Sequence, residues 1–241
     1  WHIECSAMST DLLGNHFDIH GGGNDLKFPH HENEIAQCKG THHHALANYW
    51  VHNGMLNIDG EKMSKSLGNV IWAKDYIQEL GGNVVRWLLL LAHYRSPLNI
   101  SAETIQQAQS EMDKIQAVLK QTRLALMDSN IETSTLTSLY DAFLDACKDD
   151  MNINLAMSVV FEQVKQLNQL LRNKTSFKED IVNADHTLRK MMSILGISTP
   201  HPQLSTEDVL LIHAWNQAKV DKDFALADHY RGQLIERGVL S

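Results

Sequence analysis

Residues 28–37 read FPHHENEIAQ, two histidines and two glutamates within five positions directly after a proline. On a helix, side chains four apart share a face, so His30 and Glu34 pair while His31 turns toward Ile35. An imidazole nitrogen and a carboxylate oxygen are both good zinc ligands, and one helical turn fixes their separation. Cys5, expected at the end of an adjacent strand, adds a thiolate. A set of Cys, His and Glu leaves zinc an open position, as functional sites do and closed structural sites do not. The plainer reading is a helix N-terminus whose dipole favours glutamate. The metalloprotease arrangement, two histidines four apart with a glutamate between them, is absent.

Two further stretches carry chemistry. In HGGGND (20–25), Gly21, Gly22 and Gly23 let a ligand approach the backbone, and Asp25 offers a carboxylate for hydroxyl or amino groups. The pattern is neither the dinucleotide fingerprint nor a Walker loop, and a tight turn explains it equally well. In DGEKMSKSLGN (59–69), Lys62 and Lys65 lie three apart with the hydroxyls of Ser64 and Ser66, in a loop bounded by glycines. Ammonium groups on such a loop suit the charge that develops on a departing pyrophosphate. The alternative is a solvated basic loop. His42, His43 and His44 read as a polar run rather than a metal site.

Elements must hold these groups in place. FDIHGGG (17–23) reads as a strand ending in a tight turn, and Pro29 suits the first position of a following helix. Strand, glycine turn and helix form the unit in which α/β folds seat ligands. Two β-like runs flank Asn53-Gly54, Asp59-Gly60 signals another turn, and a loop is expected over 60–69. Helices are expected at 73–80 and 83–94, the latter containing the buried run WLLLLA. From Ser101 the apolar spacing becomes helical, at Ile105, Ala108, Met112, Ile115, Val118 and Leu119. It recurs at 136–149, 154–172, 184–195, 206–219 and 223–237, which predicts a helical bundle. Met151, Met157, Met191 and Met192 are expected to fill its core. Arg172, Lys174, Lys178, Arg189 and Lys190 read as a solvated face, with RNA contact the alternative.

The totals exclude some classes. With 21 basic and 29 acidic residues in 241, net charge −8, the chain has no general nucleic-acid coat, although local basic contacts remain open. Three cysteines form no disulfide framework, which predicts a reducing cytoplasm. No apolar run approaches the ~18 residues of a membrane span. The chain opens on Trp1 rather than methionine, and its first part is expected to lie outside this sequence.

The order of motifs, WHIECSAM, FDIHGGGNDLKFPHHENEIAQ, NYWVHNG, DGEKMSKSLGN and HYRSPLNIS, resembles the cysteinyl-tRNA synthetases. DACKDDMNINLAM (145–157) and KDFALADHYRGQL (222–234) carry the resemblance through the helical half. It implies α/β plus all-α architecture: the second half of a class I Rossmann-type catalytic domain over 1–48, a stem-contact region with the KMSKS loop over 49–100, and a helical tRNA-binding domain over 101–241. It implies a cysteine–tRNA ligase of protein biosynthesis, which makes cysteinyl-adenylate from L-cysteine and ATP with Mg2+, then passes the acyl group to tRNA(Cys). Cys5, His30 and Glu34 are its implied Zn2+ ligands, with zinc binding the substrate thiolate and so rejecting serine. Lys65 and then Lys62 are the implied catalytic lysines, contacting ATP with Ser64, Ser66, Asp25 and the glycines at 21–23; Trp1 and Asp25 line the cysteine pocket. A monomer is implied. The family's HIGH motif and a further zinc-binding cysteine have no counterpart here, so this chain alone is expected to have little aminoacylation activity. The rivals are a cysteine ligase of thiol-cofactor biosynthesis with an aminosugar acceptor, and a non-catalytic tRNA-binding remnant.

Overall fold

Residues 2–13 form helix α1 (His2–Leu13), so Cys5, expected at a strand end, lies on a helix instead. The run lacks the period-two alternation a strand needs, and Gly14, at φ 89°, closes it with its N–H on the Thr10 carbonyl. The computed structural model of the chain describes residues 1–64, 68–127, 129, 135–173, 175–200 and 204–240. They divide into two compact units, 1–110 with 146–155 and 111–145 with 156–241.

In the first unit, strand β1 (Phe17–Gly23), helix α2 (Glu32–His42) and strand β2 (Ala47–Asn53) form a parallel β-α-β unit. The three glycines are the strand's last residues and pair with Val51, His52 and Asn53 in its ladder before the turn begins. The reason lies across the sheet. A Cβ on Gly22 would stand 2.9 Å from His31 Cε1, so the bare backbone makes room for the imidazole. Between β1 and α2 the chain makes two short non-α turns, broken by extended Phe28 before the cis peptide to Pro29. Helix α2 starts at Glu32, three residues beyond the expected Pro29.

The β-like runs around Asn53-Gly54 part company. The second run, β3 (Leu56–Ile58), joins another sheet of order β4-β3-β5, with β4 (Glu61–Lys62) and β5 (Leu98–Ile100). Strand β4 occupies the start of what was read as a loop. Asp59 and Gly60, at φ 50° and 85°, turn β3 into β4 as the Asp-Gly signal predicts. Gly54 donates to the Tyr94 carbonyl at 2.7 Å, and a Cβ there would fall 2.1 Å from the Ser96 carbonyl oxygen. Gly54→Ala is expected to destabilise this unit by at least about 2 kcal/mol, read from the midpoint of chemical denaturation, because backbone cannot step aside.

Helices α3 (Ala73–Leu80) and α4 (Gly82–Leu90) follow, with Trp87 and Leu88 buried. Helix α4 stops four residues short of the expected 94 because residues 93–96 form a turn, with Ser96 N–H on the His93 carbonyl and the Tyr94 carbonyl taken by Gly54.

Helix α5 (Ala102–Ala125) begins here, and the second unit is helical throughout its described residues: α6 (Ser138–Lys148), α7 (Ile153–Arg172), α8 (Lys178–Ile194), α9 (Thr206–Val220) and α10 (Phe224–Glu236). Its buried residues repeat at helical spacing, including Met112, Ile115, Val118, Phe143, Val160, Leu167, Leu188, Met191 and Met192. Met151, expected in the core, is exposed in a left-handed turn. Gln163 is buried among the core residues, as are the polar side chains of Thr122 and Thr187. Gln163 Nε2 donates to the Ala184 carbonyl at 3.2 Å and its Oε1 accepts from Thr137 Oγ1 at 2.8 Å. Arg189 is committed to Asp185 and the Thr199 carbonyl rather than free for RNA, and Lys174 lies outside the described residues. No described helix is long and apolar enough to cross a membrane.

Ser205 and Asp208 form a reciprocal capping box at the start of α9, and Arg237 Nε donates to Asp208 Oδ1 at 2.6 Å. The Arg237 guanidinium, then Ser205, hold the Asp208 carboxyl down at about 2. A depressed folded value stabilises above the ordinary carboxylate pKa and is lost as pH falls toward 2. The thermal stability of α9–α10 is expected to fall across that acid range. Asp208→Asn is expected to flatten the dependence and, at neutral pH, to cost about 1 kcal/mol for the lost cap.

Candidate metal centre

Glu34 lies in the first turn of α2 with its side chain fully buried. Its Oε1 is 2.6 Å from His30 Nε2 and its Oε2 is 2.8 Å from His20 Nε2. Neither oxygen accepts a well-formed hydrogen bond, although both are sealed from solvent. Burying a carboxyl group whose oxygens have no directed hydrogen bonds is costly. Ligand atoms that crowd together without bonding one another are arranged as around a cation.

The ligand atoms of Cys5, His30 and Glu34 lie within 4.8 Å of one another, as do those of His20, His31 and Glu34. The i, i+4 spacing thus places His30 against Glu34 as the sequence predicts, even though α2 begins only at Glu32. Cys5 joins them from helix α1, not from a strand end. Burial, and then the facing Glu34 carboxylate, push its thiol up. A cation between them would reverse that balance and favour the thiolate.

A second ring of groups orients the first. His2 Nδ1 is 2.7 Å from His30 Nδ1. With the His30 proton on Nδ1 and donated to His2, His30 Nε2 presents its lone pair toward Glu34. Trp1 stacks on His30, with ring centroids 4.2 Å apart. His31 Nδ1 meets His52 Nε2 at 2.9 Å. Burial, then His20, His52 and His30, lower His31 to about 4, so it is neutral at neutral pH.

The donor set, thiol sulfur, imidazole nitrogen and carboxylate oxygen, fits zinc. His2, His20 and His52 were not singled out from sequence. Only the strand alternation that puts His20 on the same face as Gly22 hinted at any of them. His42 and His44 stack on each other, and His16 packs edge-on against His44; none of them joins either group.

The remaining candidates lie nearby in sequence but not in this cluster. Asp25 sits in the turn after β1, its Oδ1 2.5 Å from where a Gly23 Cβ would be. Lys62 ends β4 and is exposed. Asn69 ties that end of the loop, its Oδ1 accepting from Ser64 N–H at 2.8 Å and its Nδ2 donating to the Lys62 carbonyl at 3.2 Å. Lys65 and Ser66 lie outside the described residues.

Comparison with known proteins bears on this arrangement. Residues 1–110 match the family described as tRNA synthetases class I (C) catalytic domain, and residues 142–199 match the DALR domain. Curated relatives named cysteine–tRNA ligase include those of Tolumonas auensis and Haemophilus influenzae, each 41% identical, and of Acinetobacter baumannii, 40% identical. Each aligns with 100% of this chain and 53% of its own length, so the chain spans about half the length of these relatives. Among solved structures, the ternary complex of Agrobacterium radiobacter K84 agnB2 LeuRS with tRNA and LeuAMS matches with TM-score 0.60 at 18% identity, over 80% of this chain and 29% of that one. The Mycobacterium tuberculosis methionyl-tRNA synthetase in complex with methionyl-adenylate matches with TM-score 0.51 at 19% identity, over 75% and 40%. These two likenesses are of fold alone.

Proposed function

Because residues 1–110 match the class I (C) tRNA synthetase catalytic-domain family and residues 142–199 match the DALR domain, we propose that this chain is the cysteine-selecting, tRNA-facing part of a cysteine–tRNA ligase. The observation that carries the proposal is the buried Glu34 carboxylate, without a directed partner, held against Cys5 and His30. Cys5, His30 and Glu34 would hold Zn2+, which supplies a sulfur-preferring Lewis acid and so favours cysteine over serine. His2 holds the His30 tautomer, and Trp1 covers His30 and walls the amino-acid pocket. The glycines of β1 and Asp25 line the nucleotide side. Lys62 and Lys65, with Ser64 and Ser66, meet the phosphates of ATP and its Mg2+.

Cysteine and ATP then give cysteinyl-adenylate and pyrophosphate, and the acyl group passes to tRNA(Cys). The helical unit, with its DALR match, is the tRNA-facing part.

The test is cysteine-dependent ATP–pyrophosphate exchange by the complete gene product, with serine beside it. Exchange with cysteine alone is the expected result. No exchange from the zinc-loaded protein, with tRNA binding retained, would replace this reading with that of a tRNA-binding remnant. Transfer to an aminosugar instead of tRNA would make it a thiol-cofactor ligase.

A further inference from the structure

We propose that Asp150 is a positioning residue for the loop that carries Lys62, an inference that rests on that loop being the phosphate-contacting one. Asp150 lies in the turn between α6 and α7, where it and Met151 take φ of 49° and 54°. Two consecutive left-handed residues other than glycine are unfavourable unless their surroundings impose them. The surroundings here are residues 93–95. Arg95 Nε donates to Asp150 Oδ2 at 2.8 Å, and Arg95 Nη2 and Tyr94 Oη donate to Oδ1 at 3.1 and 2.8 Å. His93 Nδ1 accepts from Arg95 N–H at 3.3 Å, which leaves the ring proton on Nε2 to donate to the Asp150 carbonyl at 3.0 Å. Three successive side chains thus converge on one residue.

An exposed ion pair contributes little to stability by itself. What this one fixes is a position. The Tyr94 carbonyl accepts from Gly54 N–H at 2.7 Å, and Leu98 N–H reaches the Met55 carbonyl at 3.0 Å. Strand β5 then pairs with β3, Ile100 accepts from Asp59 N–H at 3.1 Å, and Asn99 Oδ1 accepts from Gly60 N–H at 2.7 Å. The next two residues are β4, ending at Lys62. Residues 93–100 are therefore a rail from which the Asp59-Gly60 turn hangs, and Asp150 holds the rail's near end. The same rail touches Gly54, two residues beyond His52.

The test uses Asp150→Gly, which keeps the left-handed backbone while removing the clamp, and Asp150→Asn, which keeps an acceptor. In this chain, amide hydrogen exchange over 56–62 is expected to quicken about tenfold in Asp150→Gly, with exchange in α8–α10 unchanged. In the complete gene product, kcat for ATP–pyrophosphate exchange is expected to fall about tenfold, with the KM for cysteine within about twofold, and Asp150→Asn is expected to restore part of the loss. Unchanged exchange over 56–62 overturns the proposal whatever the activity. A raised KM for cysteine at unchanged kcat overturns it too. A wild-type protein without exchange activity refutes the ligase reading alone, and hydrogen exchange then decides Asp150.

Discussion

Glu34→Gln is expected to lose zinc. The wild-type chain should retain the metal through gel filtration after chelator challenge. The variant's affinity should be lower by at least about 100-fold, since losing even an outer partner of a ligand costs 10–100-fold and Glu34 stands in the centre of the group. The stabilities should move in opposite directions. Without metal, wild type buries a carboxyl group whose oxygens lack directed hydrogen bonds and the variant a neutral amide, so the metal-free variant should melt higher than metal-free wild type. Adding zinc should raise the melting temperature of wild type and leave that of the variant unmoved, because only a ligand that binds the native state stabilises it. His42→Ala, outside both groups, is the control and should behave as wild type. A Glu34→Gln chain that keeps full zinc would remove the metal centre from this reading.

Lys65→Ala should cost the most catalysis. In the complete gene product, kcat for ATP–pyrophosphate exchange is expected to fall about 10²–10³-fold, the usual effect of removing one preorganised group aimed at developing negative charge. The KM for cysteine should stay near wild type, because the amino acid is held elsewhere. Lys62→Ala should cost less. Its backbone carbonyl is bound by Asn69 where it ends strand β4 at the base of the loop. Single-turnover measurement of adenylate formation would separate this chemical loss from slower product release.

How much was legible follows from how far apart the partners lie in the chain. His30 and Glu34 are four residues apart, and the turn that leads into α2 brings them to 2.6 Å, as the spacing suggests. Cys5 was named as their companion but given the wrong element, since residue type indicates ligand chemistry and says little about the backbone carrying it. His2 and His52 reach their partners across 28 and 21 residues, and no local pattern announces such contacts. The glycine run looked like a turn because glycine's commonest local meaning is a turn; its ladder partners and the His31 ring it accommodates come from elsewhere. The two sheets were hidden for the same reason. Asn53-Gly54 carries a hairpin signal, but the space beside Gly54 is filled by Ser96 and Pro97, which send the chain onward to a different sheet.

One buried amide helps fix how α7 and α8 meet. An interface of Val, Leu and Met tolerates sliding by one helical turn, because apolar contacts are non-directional and the lost area is soon regained. Gln163 removes that freedom. Displaced by a turn along α8, it would leave the Ala184 carbonyl and the Thr137 hydroxyl behind and carry a dry amide into hydrocarbon, a penalty of roughly 1–3 kcal/mol with no compensating contact. The side chain therefore works as an index mark. It sets which rung of α7 faces which rung of α8, and every residue those helices present to a partner inherits its spacing from that one setting.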